Sequence, residues 1–287
     1  MSRTPEEQRQ KIVEYYLATT EASYLPHWSG DSLGFHFGLA DESTSSLAES
    51  ITNTNAFLAE RAGVVAGTRV LDAGCGVGGS AIWLARERGA RVVGISLVDR
   101  QIELACGFAR ERGVEGLATF AIRDMLETGF EDASFDVVWN IESLCHVADI
   151  DGYLAHVSAL LVDGGRFACI DVCSGHIADA DGQKRICEGW ALAALRSTED
   201  IASALARAGF VEIEVMDLTA RALRSAQALE AMTSRAWLEI RVNQTFIGQS
   251  PLACYEGHVR AALTMAQGMR TGTTSLGHVL ARRPNRA

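Results

Sequence analysis

The chain has 287 residues, 48% hydrophobic and 22% charged, with a formal net charge of −10. That length allows one large domain or two small ones, and the apolar content is ample for a buried core. No basic run precedes the Arg282-Arg283 pair. This disfavours a nucleic-acid partner, because such binding rests on clustered Lys and Arg. No apolar run reaches the ~18 residues of a membrane span, so no membrane partner is expected. Residues 1–7 lack a signal-peptide pattern, and the seven cysteines show neither C-x-x-C pairs nor His clusters. The expectation is a cytoplasmic protein with reduced thiols and no metal site.

Residues 1–61 read as a helical lid segment rich in aromatics: Tyr15, Tyr16, Tyr24, Trp28, Phe35 and Phe37. From there strands alternate with helices. Strands are predicted at 68–72, 91–95, 118–122, 135–140, 166–171, 210–216 and 275–281, and helices at 81–88, 101–112 and 150–161. The helix at 101–112 places Ile102, Leu104, Ala105, Phe108 and Ala109 near helical period. The strand at 135–140 is almost continuously apolar, as a strand buried on both faces should be. Asp163-Gly164-Gly165 reads as a turn into the fifth strand. Helical material at 177–195 and 219–268 lies outside the sheet. The alternation predicts an α/β fold with a parallel sheet. Without a Pro/Gly/Ser linker, the chain reads as a single domain. Its parts are the lid segment 1–61, a core at 62–174, a helical insertion and cap at 175–270 that carries the strand 210–216, and a last strand with tail at 271–287.

Val70-Leu71-Asp72-Ala73-Gly74-Cys75-Gly76-Val77-Gly78-Gly79 is the most informative stretch. A strand, a glycine turn and a helix start are the standard way to hold an adenosine-bearing cofactor at a helix N-terminus. Glycines allow positive φ and close approach of a ligand. Gly74, Gly76 and Gly79 also satisfy G-x-G-x-x-G, a weak signal alone. A dinucleotide reading wants an acid at the end of the second strand, where this chain has Ser96. Asp72 at the first strand's tip would repel a pyrophosphate but accept a hydrogen bond from an ammonium. The cofactor reading is therefore S-adenosylmethionine.

The order of elements over 68–218 resembles the class I S-adenosylmethionine-dependent methyltransferases, whose fold is Rossmann-like with a mostly parallel seven-stranded sheet. More narrowly it looks like the small-molecule γ-tocopherol, sterol and alkaloid N-methyltransferases. Tyr15-Tyr16 with His36-Phe37-Gly38, Gly94-Ile95-Ser96-Leu97 with Gln101, and Ile141-Glu142-Ser143-Leu144-Cys145-His146-Val147 carry that likeness. The resemblance implies that Asp72, Gly74, Gly76 and Gly78 hold the methionine end. Leu97 and Gln101 then lie beside the ribose, Asp124 and Met125 at the adenine, and Asn140 at the methionine end. Plainer alternatives are a helix cap for Asp124, a solvated helix residue for Gln101 and a strand-end turn former for Asn140.

Methyl transfer needs alignment above all, and a base where the acceptor must shed a proton. His146, at the carboxyl edge of the sheet, is the leading candidate, and Glu142 stands four residues before it on one face if that segment is helical. The alkaloid enzymes use Glu and His here; Cys145 stands where a second Glu precedes their His. The alternative for His146 is a structural hydrogen bond. His36 is a second candidate base, or a lid-packing residue. Tyr24, Trp28 and Phe37 are pocket candidates, or core. Glu188, Trp190 and Asp171 are weaker ones. The expected enzyme is a methyltransferase acting on a secondary-metabolite-like small molecule, with N- or O-methylation favoured and a homodimer left open. C-methylation of a prenyl diphosphate or sterol-like acceptor is the alternative, with Lys184, Arg185, Arg221 and Arg224 as candidate diphosphate ligands. A non-catalytic S-adenosylmethionine-binding module is the alternative of another class.

Overall fold

The computed structural model describes residues 4–242 and 251–285. The elements in chain order are α1 (Pro5–Thr19), α2 (Leu47–Ala62), β1 (Arg69–Ala73), α3 (Gly79–Arg88), β2 (Arg91–Ser96), α4 (Asp99–Glu111), β3 (Ala118–Ile122) and β4 (Phe135–Ile141), followed by α5 (Ile150–Leu160), β5 (Leu161–Ser174), α6 (Ala180–Gly189), α7 (Thr198–Arg207), β6 (Val211–Asp217), α8 (Thr219–Val242), α9 (Pro251–Thr271) and β7 (Thr274–Arg282). The sheet has the order β3-β2-β1-β4-β5-β7-β6. All pairings are parallel except those of β7, which runs antiparallel to β5 and β6. The chain builds outward from β1 to β3 and then restarts at β4 on the other side of β1. Ligands of open α/β sheets bind at such a switch, outside the carboxyl ends of the strands.

The central strands are apolar because both faces are covered. Leu71, Val138, Trp139, Phe167 and Ile170 are all at most 1% exposed. Each such side chain contributes roughly 1.5–3 kcal/mol through burial. Helices α2, α8 and α9 contribute to the core that contains Trp139, and α5 and α7 to the core that contains Phe167. Helix α1 starts with a capping box in which Thr4 and Glu7 satisfy each other's amides, and Pro5 occupies the first turn. It runs into a ten-residue π-helical segment, Thr20–Ser29, which holds Pro26.

Several expectations need correction. The turn at Asp163-Gly164-Gly165 lies inside β5, not before it. The register with β4 jumps from Phe135↔Leu161 to Val137↔Arg166, so the extra residues are absorbed as a bulge, with Gly164 at φ 74°. Helix α7 was not anticipated, although Ser197-Thr198-Glu199-Asp200 is a capping box in the sequence. The helix read at 177–195 is the shorter α6, which passes close to α9: a Cβ on Gly189 would lie 2.2 Å from the Gly257 carbonyl oxygen. The stretch read as helical at 219–268 contains α8 and α9, and residues 243–250 between them lie outside the described residues. Ser197→Ala removes the Oγ that accepts from the Asp200 amide at 3.1 Å. Chemical denaturation should show a loss of about 1 kcal/mol with an unchanged m-value.

Candidate active site

The tips of β1 and β4 are tied by one buried network. Asn140 Nδ2 donates to the Ala73 carbonyl at 3.0 Å and to Ser143 Oγ at 2.8 Å, and Ser143 Oγ donates to the same carbonyl at 2.6 Å. Tyr153 from α5 donates to Asn140 Oδ1 at 2.7 Å. Beyond Ala73 the chain folds back, and the amides of Gly74 and Cys75 both reach the Ile95 carbonyl. A Cβ on Gly74 would lie 2.4 Å from Ser143 Cβ, so packing demands glycine there. Gly76 has φ 53°, and a Cβ there would meet only the Phe35 ring, at 3.7 Å.

This turn walls a narrow cleft of about 90 Å³. Of the expected cofactor residues, Asp72, Gly74, Gly76, Leu97, Gln101 and Met125 line it. Gly78, Asp124 and Asn140 do not: Gly78 caps α3, and Asn140 sits behind the wall in the network above. Asp72 is 3% exposed and its Oδ2 is buried with no partner. Burial pushes its carboxyl up to about 7, against a smaller opposing effect of the Ala81 amide. An orphaned carboxylate oxygen beside a glycine cradle fits the ammonium end of S-adenosylmethionine. Gln101 is buried, accepting from Ser96 Oγ at 2.9 Å and donating to Thr20 Oγ1 at 3.1 Å, so it is no solvated helix residue. Asp124 caps no helix either. Its Oδ1 accepts from the Leu126 amide at 2.8 Å, and its Oδ2 pairs with Arg9 Nε of α1 at 2.5 Å.

A second, larger cavity of about 540 Å³ adjoins the cleft. Tyr16, Phe35, His36, Glu142 and His146 line both. The expected pocket residues Tyr24, Trp28, His36 and Phe37 all line the larger one, as does Trp190. His146 Nδ1 lies 3.1 Å from the Ala191 carbonyl and therefore carries the proton. Its Nε2 lone pair accepts from the Tyr16 hydroxyl at 3.0 Å. His36 donates from Nδ1 to the Phe37 carbonyl at 3.0 Å, and its Nε2 is buried without a partner. Burial lowers both imidazoles to about 4, so both are neutral at physiological pH.

Glu142 and His146 do not share a helix face. Glu142 sits in a turn at φ 48°, and Leu144–His146 is a single 3₁₀ turn. Glu142 Oε1 accepts from the Phe37 amide at 2.6 Å, which ties the N-terminal segment to the tip of β4. Burial raises its carboxyl well above the usual range. Asp171 braces the end of β5, holding the amides of Cys145 and Val172 at 3.1 and 2.8 Å, and does not line the cavity. Glu188, Lys184 and Arg185 line a separate outer groove. Arg221 stacks over Phe57, and Arg224 donates to the carbonyls of Asp41 and Thr44. Arg235 is the single Arg or Lys among the described residues lining the cavity. Among the described residues no group of three or more His, Cys, Asp and Glu is placed to hold a metal, and no helix is long and apolar enough to cross a membrane. All seven cysteines are free. Sequence reasoning missed Ser143, which stood inside a motif already singled out. It also missed His258, which lies in α9 with no motif around it.

A sequence model of the methyltransferase domain matches residues 71–169. Methyltransferase GfsG of Streptomyces halstedii is 35% identical over 187 residues, 64% of this chain and 67% of that protein. The 27-O-demethylrifamycin SV methyltransferase of Amycolatopsis mediterranei is 34% identical over 193 residues, 66% of this chain and 70% of that one. Geranyl diphosphate 2-C-methyltransferase of Saccharopolyspora erythraea is 40% identical over 153 residues, 52% of each chain. The crystal structure of the [4+2]-cyclase SpnF superposes with a TM-score of 0.81 at 22% identity, covering 99% of this chain and 98% of its own, a likeness of fold alone. With the glycine turn, the switch-point cleft and these relatives together, the chain belongs to the class I S-adenosylmethionine-dependent methyltransferases and is an enzyme that methylates a small molecule.

Proposed function

We propose that the methyl group goes to an oxygen or nitrogen of an uncharged, largely apolar natural product held in the 540 Å³ cavity, with oxygen the favoured acceptor atom. The observation that carries this reading is the neutral His146, whose Nε2 lone pair accepts from the Tyr16 hydroxyl where cavity and cleft meet. The rifamycin relative, named for an O-demethyl substrate, supports it. The whole chain works as one domain, with the N-terminal segment and the helices after β5 closing the cavity over the sheet. S-adenosylmethionine supplies an activated methyl. The protein's work is to align the acceptor and remove its proton. Asp72 takes the ammonium, Gly74 and Gly76 let the methionine end approach, and Leu97 and Gln101 flank the ribose. Met125 packs on the adenine, and Asp124 takes its amino group once Arg9 yields. Asn140 and Gly78 hold the wall and the α3 start behind them. Ligand pockets usually need some 300 Å³ or more, so the N-terminal wall at Ile12 must move outward to admit the cofactor. The acceptor passes its proton to the Tyr16 hydroxyl as that hydroxyl passes its own to His146 Nε2, so the base acts through Tyr16.

A second reading is C-methylation of an alkene. Tyr24 stacks on Phe35 with ring centroids 4.6 Å apart, and such aromatic walls stabilise a cationic centre. The geranyl diphosphate relative favours it. Incubation with S-adenosylmethionine carrying a labelled methyl, with 27-O-demethylrifamycin SV as the first probe acceptor, followed by NMR of the product, separates O- or N-bound label from C-bound label.

Three outcomes are expected. Gly76→Val should keep the fold by circular dichroism but lose measurable S-adenosylmethionine binding by calorimetry, because a β-branched residue resists φ 53° and projects into the cleft. The affinity should depend on pH through Asp72. Its carboxyl is protonated below about 7 and must ionise to meet the ammonium. Binding should therefore tighten as pH rises through about 7, up to tenfold per unit on the acid side, and release a proton. Asp72→Asn should bind weakly and without that pH dependence. His146→Ala should lower turnover by about 10²–10⁴ and leave S-adenosylmethionine affinity within about threefold. At saturating S-adenosylmethionine the wild-type turnover should stay flat through neutral pH and fall only as pH nears about 4, where the buried ring protonates. Near-normal turnover in His146→Ala would transfer the role to His36.

A further inference from the structure

Four polar side chains of the acceptor cavity play no part in the proton transfer proposed above. Tyr15, Ser23, Tyr24 and His258 all line the cavity, and none lines the cleft. They form one hydrogen-bonded chain. Ser23 Oγ lies 3.1 Å from His258 Nε2, His258 Nδ1 lies 2.8 Å from the Tyr15 hydroxyl, and that hydroxyl lies 2.9 Å from the hydroxyl of Tyr24. Tyr15 and His258 are buried at 3% and 5% exposure, while Tyr24 is half-buried. The chain thus begins in the wall and stops at the Tyr24 hydroxyl, whose ring is held flat against Phe35.

We propose that the Tyr24 hydroxyl, positioned by Tyr15, His258 and Ser23, is a specificity-determining contact that reads a second oxygen of the acceptor, distinct from the methylated atom. This rests on the cavity being the acceptor site, as put forward above. A neutral imidazole has one N–H and one lone pair, so the chain has two proton orders. In one, Ser23 donates to Nε2, Nδ1–H donates to Tyr15, and Tyr15 donates to Tyr24. The Tyr24 O–H is then free to donate to an acceptor carbonyl. In the other every bond reverses: Tyr24 donates to Tyr15, Tyr15 to Nδ1, and Nε2–H to Ser23. Tyr24 then offers a lone pair to an acceptor hydroxyl. Burial holds His258 near 4 and pushes both tyrosines well up, so the chain stays neutral in either order. The whole chain reverses its proton order by a tautomer change at His258, without moving a heavy atom. A carbonyl and a hydroxyl are accommodated alike, and a bare hydrocarbon gains nothing from it.

The test uses the full chain saturated with S-adenosylhomocysteine and three probes of one ring skeleton: tetralin, 2-tetralol and 2-tetralone. Their Kd values are measured with wild type and Tyr24→Phe, and the ring ¹⁵N shifts of His258 are followed by NMR in wild type. Tyr24→Phe should weaken the alcohol and the ketone by about 3- to 10-fold and leave tetralin within about twofold. In wild type the alcohol and ketone should move the His258 ¹⁵N signals in opposite senses, towards Nε2–H and Nδ1–H respectively, and tetralin should leave them unmoved. The NMR arm needs no variant, so a Tyr24→Phe protein that fails to fold does not block the test. Equal losses for all three probes, or His258 signals indifferent to the oxygen, would make the chain a pin between the N-terminal segment and α9 and overturn the proposal. No binding of any probe would instead sink the assignment of the cavity as acceptor site, and this inference with it.

Discussion

The Ala73 carbonyl at the tip of β1 is the point on which both cavities hang. It accepts from Asn140 and Ser143, and Asn140 in turn is held by Tyr153. Strands β1 and β4 are neighbours in space but 67 residues apart at this contact. The network sets how far their ends splay, and the splay defines the cleft. It also explains why Gly74 carries no side chain, since Ser143 occupies that space. Removing Asn140 would leave the Tyr153 hydroxyl buried and unpaired, at a cost of about 1–3 kcal/mol.

Burial sets the electrostatics of the site more than charge pairing does. His36, His146 and His258 are all lowered to about 4, whereas Asp72 and Asp171 are raised to about 7 and 6. Desolvation is the first cause in every case. The consequences for stability oppose each other. Histidines with depressed values contribute stability above their unfolded value, lost as pH falls through about 4. Carboxyls with raised values contribute stability on the acid side, lost as pH rises through about 6 and 7. Between these limits the slopes partly cancel, so the molecule holds neutral bases and protonated acids side by side without a steep pH dependence of folding. A ligand that brings its own charge, such as an ammonium at Asp72, breaks that balance locally. The pH response therefore belongs to binding more than to folding.

The sheet and the glycine turn were legible in the sequence because their signals are local. Val70 to Gly79 combines an apolar run, an acid at its tip and glycines at fixed spacing, and each has a direct structural cause. The strand at β4 was legible from its apolar continuity. Asp163-Gly164-Gly165 misled because a glycine turn and a glycine bulge look alike before the partner strand is known. The roles of Asp124 and Gln101 were not legible for another reason. Their partners are Arg9 and Thr20, more than 80 residues upstream, and no local pattern announces such a pair. His258 is the extreme case, bonded to Tyr15 across 243 residues.

Those long-range pairs share a physical feature. Gln8 donates to the Ala191 carbonyl, Arg9 pairs with Asp124, Tyr16 with His146, Thr20 with Gln101, and the Phe37 amide with Glu142. The N-terminal segment therefore touches the cleft and the larger cavity at successive points along its length. The sheet alone supplies a cofactor turn and one wall. The Tyr24 and Trp28 wall and the contact that orients His146 come from residues before α2. A fold shared with proteins named for cyclisation, O-demethyl substrates and geranyl diphosphate can thus carry different acceptors with an unchanged sheet. On the reading proposed above, acceptor choice resides in the segment before α2, in Trp190 and Leu192 after α6, and in the helices α8 and α9 that complete the cavity, and it is there that substitutions should change selectivity without loosening the cofactor site.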